Sequence, residues 1–126
     1  MRRTHDNGFT LIELLVVMTI IALLLTLAVP RYFHSVDKSK EAVLRDNLSI
    51  LRSTLDKYYG DNDKYPDSLD DLISNKYLRA IPRDPITEST TTWVIVPPDD
   101  PTQGGVYDVK SGAKEHALDG SRYGQW

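Results

Sequence analysis

The sequence predicts an α+β protein in which a long N-terminal helix packs on a small C-terminal head with a short helix and a small antiparallel sheet. Three observations predict this class. An apolar run passes into an amphipathic stripe with helical spacing, two segments rich in β-branched residues follow only in the second half, and the 126-residue length suits one small domain with an anchor. This length argues against a multidomain enzyme.

Composition narrows the function classes. The chain has 15 Lys and Arg residues against 18 Asp and Glu, so its formal charge of -3 argues against nucleic-acid binding through bulk positive charge. Hydrophobic residues make up 40% of the chain, which argues against disorder. Without cysteine there is no disulfide framework, thiolate metal site or cysteine nucleophile. The sequence also shows no nucleophile elbow and no phosphate-binding glycine loop, so we do not expect an enzyme.

The first element is an apolar run over residues 9–29 whose only charged residue is Glu13. At about 1.5 Å per residue, a helix of this length matches a hydrocarbon core of about 30 Å. Arg2 and Arg3 precede the run, and Arg31 stands alone after it. The positive-inside rule therefore places the N-terminus in the cytoplasm and the rest of the chain across the membrane.

Glu13 decides between two interpretations of this run. An ordinary signal peptide cleaved near Ala28 leaves the carboxylate unexplained, although such a group costs about 2.5–3.5 kcal/mol on insertion scales. Cleavage after Gly8 would instead free the α-amine of Phe9, four residues before Glu13, as its partner. The amine could meet Glu13 of the same helix or of a neighbouring subunit, where the pair would set the register of a helix bundle.

The helix is expected to continue beyond the apolar run. Pro30 lacks an N–H and predicts a kink or local melting. An apolar stripe follows, with Gly60 in the place expected of a C-terminal cap. The stripe comprises Val36, Leu44, Leu48, Leu51, Leu55 and either Tyr58 or Tyr59.

The remaining elements belong to the head. Ser68 and Asp71 have the spacing of a capping box before a short helix. Residues 91–96 predict one strand, and residues 106–110 predict a second that pairs antiparallel with it across a loop of about eight residues. We expect Trp126 to fold back against this sheet.

The segment Gly8-Phe9-Thr10-Leu11-Ile12-Glu13, with the apolar run and Pro30 behind it, resembles the class III signal of type IV pilins and type II secretion pseudopilins. The resemblance implies a type IV pilin-like fold. It also implies that a prepilin peptidase cleaves between Gly8 and Phe9 and methylates the new amine of Phe9, and that Glu13 is needed for assembly. The expected divisions are a leader at 1–8, a transmembrane and filament-core helix at 9–29, its amphipathic continuation at 30–60 and a periplasmic head at 61–126.

The head is similar to that of the G-type major pseudopilin of type II secretion. The similarity is carried by Tyr65-Pro66, Ser68-Leu69, Leu72, Tyr77-Leu78, Pro82, Asp84-Pro85 and the two predicted strands. It implies a single-pass inner-membrane protein that polymerises with other pseudopilins into a filament spanning the periplasm. The implied partners are the prepilin peptidase, the inner-membrane assembly platform, a cytoplasmic ATPase motor and the outer-membrane secretin. A type IV pilus for adhesion or twitching motility is the alternative function, and a plain single-pass or secreted binding protein is a third.

Calcium is the one cofactor that this resemblance suggests, in the loop after the last strand. Asp108, Glu115 and Asp119 are the candidate ligands, because a hard cation takes oxygen donors. Lys114 stands where the family pattern has an aspartate, and its charge would repel the metal. The other interpretation is a loop closed by Asp119 and Gly120 as a turn.

Overall fold

The computed structural model describes residues 8–126. Residues 1–7 of the predicted leader at 1–8, including Arg2 and Arg3, lie outside the described residues. Contacts between residues group the chain into two units, Met1–Val36 and Asp37–Trp126. Helix α1 (Leu11–Asn62) supplies residues to both units, and all further elements belong to the second.

The first unit consists of the apolar part of α1. By length and composition alone, α1 contains a segment able to cross a membrane. Both threonines of the run satisfy their hydroxyls within the helix: Thr19 Oγ1 donates to Leu15 O at 2.7 Å and Thr26 Oγ1 donates to Ala22 O at 2.8 Å. These bonds leave no unpaired donor on either side chain, as a hydrocarbon surrounding requires. The helix runs through Pro30 without interruption, so the local melting predicted there is not seen, and the kink stays a prediction.

The end of α1 differs from the sequence prediction. The helix passes Gly60 and ends at Asn62, so the prediction of Gly60 as the cap is wrong. Asp63 takes the left-handed conformation with φ of 56°, and its N–H donates to Tyr59 O at 2.8 Å. Aspartate tolerates this conformation, and Asn62 Nδ2 additionally donates to Tyr58 O at 3.0 Å. Side chains that satisfy backbone groups thus extend the helix beyond the glycine.

The core of the second unit is built on the predicted stripe. Leu44, Leu48, Leu51 and Leu55 are each at most 2% exposed, and Tyr58 is buried whereas Tyr59 is exposed. Val36, the first predicted member, is only partly buried. The head packs a second set of apolar residues against this face of the helix. That set comprises Leu72, Trp93, Val106, Val109, Ala113, Ala117 and Tyr123.

The head contains the predicted short helix and two-stranded sheet. Helix α2 (Asp70–Ser74) begins after Ser68, and no side chain caps its first residue. The predicted Ser68–Asp71 capping box is therefore wrong, because the Asp71 carboxylate accepts instead from the backbone N–H of Asp67 at 3.0 Å. Strands β1 (Val94–Val96) and β2 (Asp108–Lys110) pair antiparallel with Ile95 opposite Val109.

Both strands are shorter than predicted: the Val106 N–H before β2 donates to Pro66 O at 3.0 Å and not to β1, and two side chains before β1 bond outside the sheet. The Thr92 hydroxyl contacts that of Thr87 at 2.6 Å, and the Trp93 indole N–H donates to Pro82 O at 2.8 Å. Before β2, the loop at residues 97–107 packs on the turn after α1, where the Tyr65 N–H donates to Gln103 O at 2.7 Å. Gly104 has φ of +112°, and a Cβ there would lie 2.1 Å from Tyr65 O, so this approach requires glycine.

Candidate processing and assembly site

The predicted cleavage junction lies immediately before α1. Gly8, Phe9 and Thr10 are exposed and have no regular secondary structure, and the Phe9 side chain is 80% exposed. A Cβ added at Gly8 would meet nothing within 4 Å. The peptide bond between Gly8 and Phe9 therefore lies outside the helix, in an exposed segment.

Glu13 lies in the first turn of α1 and forms a reciprocal pair with Thr10. The Glu13 N–H donates to Thr10 Oγ1 at 3.1 Å, and the Thr10 N–H donates to Glu13 Oε2 at 3.4 Å. This is a capping box, which satisfies two backbone donors that a helix start otherwise leaves unpaired. An acidic side chain in the first turn also complements the positive end of the helix dipole.

The sequence prediction had assigned Glu13 only to the amine of Phe9. In the uncleaved chain its carboxylate instead bonds the backbone of Thr10, the residue next to Phe9. The Phe9 amine forms only on cleavage, so its pairing with Glu13 stays a prediction. Thr10 is the residue that the prediction missed, although the Thr-x-x-Glu spacing of a capping box is visible in the sequence.

Apolar side chains cover the helix behind this pair. In residues 8–35 every side chain is exposed, and those from Leu11 to Val29 are apolar apart from Thr19, Thr26 and Glu13. A surface of this kind needs lipid or other apolar helices around it. The site thus combines an accessible peptide bond, one carboxylate and an uncovered apolar helix.

Comparisons with known proteins agree with this arrangement. Residues 3–29 match the family model of the prokaryotic N-terminal methylation motif. The type II secretion system core protein G of Klebsiella michiganensis is 34% identical over 101 residues, which are 68% of this chain and 71% of that protein. The chain belongs to this core protein G family of type IV pilin-like pseudopilins.

The matches to core protein G cover more of the relative's length than the match to a type IV pilin does. The core protein G of Escherichia coli K12 is 31% identical over 128 aligned positions, with 88% of this chain and 84% of that protein covered. The type IV major pilin PilA of Myxococcus xanthus is 31% identical over 68 residues, but only 31% of its length is covered. No solved structure gives a significant match to the pseudopilin. The long N-terminal helix with a small α+β head confirms the predicted pilin-like fold.

The three candidate calcium ligands of the pseudopilin head are not brought together. Asp108 Oδ1 accepts from Arg52 Nε at 2.8 Å and from the Val109 N–H at 2.7 Å. Asp119 Oδ1 accepts from the Ser121 N–H at 2.9 Å and from its hydroxyl at 2.5 Å, and these bonds lower the pKa of the Asp119 carboxyl.

Glu115, the third candidate ligand, is exposed and does not complete a calcium site with Asp108 and Asp119. Among residues 8–126, no three acidic, histidine or cysteine side chains are placed so that they could hold a metal ion. Gly120 has φ of +88° and its N–H donates to Ala117 O at 2.9 Å, so Asp119 and Gly120 form the turn that was the other interpretation of this loop. Asp108, Glu115 and Asp119, as placed in this structure, therefore do not form a calcium site.

Proposed function

We propose that this chain is a structural subunit of the pseudopilus of type II secretion, stored in the membrane and drawn into a filament. The observation that carries the proposal is the methylation motif over residues 3–29, which includes the uncovered apolar part of α1, where Glu13 is the one charged residue from Leu11 to Val29. Family membership supports the same function. The role is mechanical, since nothing in the proposal requires a catalytic group.

Processing is the first step of the proposed pathway. A prepilin peptidase cleaves the bond between Gly8 and Phe9 and methylates the freed amine. The exposed, non-helical conformation of residues 8–10 supports this step, because a peptidase needs an extended and accessible substrate. The head lies on the periplasmic side and the N-terminus in the cytoplasm, as the arginines before the helix favour.

Assembly follows by exchange of lipid contacts for contacts between helices. Lipid tails are as apolar as the side chains they surround, so this exchange provides little hydrophobic gain. Packing and the pairing of the Phe9 amine with Glu13 of a neighbouring subunit then select the register. An inner-membrane platform and an ATPase motor supply the work of extraction, and the filament acts below an outer-membrane secretin.

A type IV pilus subunit is the second candidate function. The match to the Myxococcus xanthus pilin favours it, but that match covers less than a third of the pilin. The two functions differ in whether the filament extends beyond the cell surface. Long surface fibres would favour the pilus, whereas fibres confined to the periplasm favour the pseudopilus.

The first experiment is intact mass measurement and N-terminal sequencing of the protein purified from its native membrane fraction. We expect a mature chain that begins at methylated Phe9. As a matched control, Gly8→Arg should leave an uncleaved, membrane-bound precursor. A chain that begins near Val29, or an unprocessed Met1, would contradict the filament proposal.

A further inference from the structure

The C-terminal part of the head consists of strand β2 and the loop that follows it, residues 111–126, and charged side chains of helix α1 bind both. Arg52 donates to three oxygens: Asp108 Oδ1 at 2.8 Å, Val109 O at 3.2 Å and Trp126 O at 2.6 Å. One side-chain carboxylate and two backbone oxygens are the kind of ligands that a protein-bound calcium ion gathers. Here a guanidinium gathers them, and its fixed fork suits several acceptors at once.

Glu41 anchors the opposite side of the loop. Its Oε1 accepts from the Leu118 N–H at 2.7 Å and from the Tyr123 hydroxyl at 2.8 Å. In a calcium site, oxygen atoms of the loop would face the cation. Here the Leu118 N–H and the Tyr123 hydroxyl face the Glu41 carboxylate instead. Glu41 therefore binds hydrogen-bond donors of the loop, whereas a metal ion would bind its oxygen atoms.

The loop interior supplies the remaining contacts. The Trp126 indole N–H donates to Ser121 Oγ at 2.8 Å, and the Arg45 guanidinium lies 4.3 Å from the centre of the Trp126 ring. Asp119 is engaged by the backbone and hydroxyl of Ser121. A metal would have to displace these bonds to recruit Asp119, and the bond to Arg52 to recruit Asp108, while Lys114 of the same loop carries a charge of the same sign as the metal.

We infer that Arg52 is the resident cation of this loop, that Glu41 completes the closure, and that the head folds and stays folded without calcium. The inference rests on contacts between α1 and the head within the second unit and not on the proposed function, so a failure of either leaves the other standing.

Thermal unfolding of the full chain in detergent, followed by tryptophan fluorescence, tests the inference. A protein that binds calcium is stabilised by it through mass action, so its Tm rises by several degrees when saturating calcium replaces a chelator. We expect the same Tm in millimolar calcium chloride and in millimolar EDTA. A Tm that falls in EDTA and recovers with calcium would overturn the inference.

Two variants test whether the contacts of Arg52 stabilise the head. Arg52→Gln is expected to lower Tm by at least about 5 °C, and by the same amount with and without calcium. Arg83→Gln is the control, because this exposed arginine makes only a 3.8 Å pair with exposed Glu88 and its loss should leave Tm nearly unchanged. An Arg52→Gln protein as stable as the control would overturn the role of Arg52.

Calorimetric titration of the wild-type chain with calcium chloride does not depend on any variant folding. We expect no saturable binding. A single saturable site of micromolar affinity would overturn the inference even if Arg52→Gln failed to fold.

Discussion

The hydroxyl of Tyr123 joins the C-terminal loop to helix α1. Burial of the ring, together with the hydrogen bond to Glu41, raises the pKa of Tyr123 above its usual value of 10.0. A raised pKa means that the fold favours the neutral phenol. The stabilisation is therefore fully present below pH 10 and is lost as pH rises through the folded pKa.

We expect the free energy of unfolding of the head to fall above pH 10. Tyr123→Phe should cost about 1–3 kcal/mol near neutral pH, because it removes a hydrogen bond to a charged acceptor, and should make the alkaline fall shallower. Urea unfolding followed by tryptophan fluorescence at a series of pH values measures both effects. Tyr32→Phe, which alters an exposed ring outside the head, is the control. An unchanged alkaline slope in Tyr123→Phe would contradict the assignment.

Single residues differ in how far the sequence reveals them. Gly8, Phe9 and Glu13 form one contiguous motif, so their grouping could be predicted without any tertiary contact. Arg52 could be assigned only to the polar side of a stripe, because its partners lie more than 50 residues away. Buried Asp84, whose Oδ2 accepts from the Ser111 hydroxyl at 2.6 Å, was likewise hidden by a separation of 27 residues.

The burial pattern along α1 predicts which of its apolar side chains stabilise the head. Leu51 is fully buried against the head, whereas the preceding Ile50 is 45% exposed. Leu51→Ala should lower the free energy of unfolding of the head by about 2–5 kcal/mol, through lost burial and the cavity left behind. Ile50→Ala removes a side chain of similar size from the same helix and should cost less than about 1 kcal/mol. Equal losses, measured by urea unfolding, would contradict the burial pattern.

The sequence predicts an element where hydrophobic periodicity alone determines it. It does not predict the ends of an element, where tertiary hydrogen bonds decide. Periodicity alone predicted the buried face of α1 from Leu44 to Leu55, and the structure then selects Tyr58 over Tyr59. The end of α1 and the starts of the strands depend on side chains such as Asp63 and Thr92, which bond to groups that no pattern places beside them. Capping boxes show the same limit, since the spacing held at Thr10 and failed at Ser68.

At the scale of the whole molecule, the two units bury their apolar side chains differently. The second unit builds its core from its own residues, the stripe of α1 and the head, while the apolar part of α1 has no cover within the described chain. The first unit therefore depends on lipid or on other copies. Glu13 is the one charged side chain in that uncovered surface, so it is the residue through which copies can be selected by charge.

A pair of variants separates the capping bond of Glu13 from the charge pairing proposed for it. Glu13→Val removes both the capping bond and the charge, whereas Glu13→Gln keeps an acceptor for the Thr10 N–H, since glutamine also serves in capping boxes. We expect both variants to be cleaved at Gly8 and methylated, and neither to form filaments, because each lacks the charge that pairs with the Phe9 amine.

N-terminal mass spectrometry measures processing, and electron microscopy of sheared filaments measures assembly. Ile12→Val, next to Glu13 and still apolar, should be processed and assembled as the wild type is. Normal filaments from Glu13→Gln together with none from Glu13→Val would show that the capping bond, and not the charge, is what assembly needs. The carboxylate would then act within its own helix rather than between subunits, and register would have to come from helix packing alone.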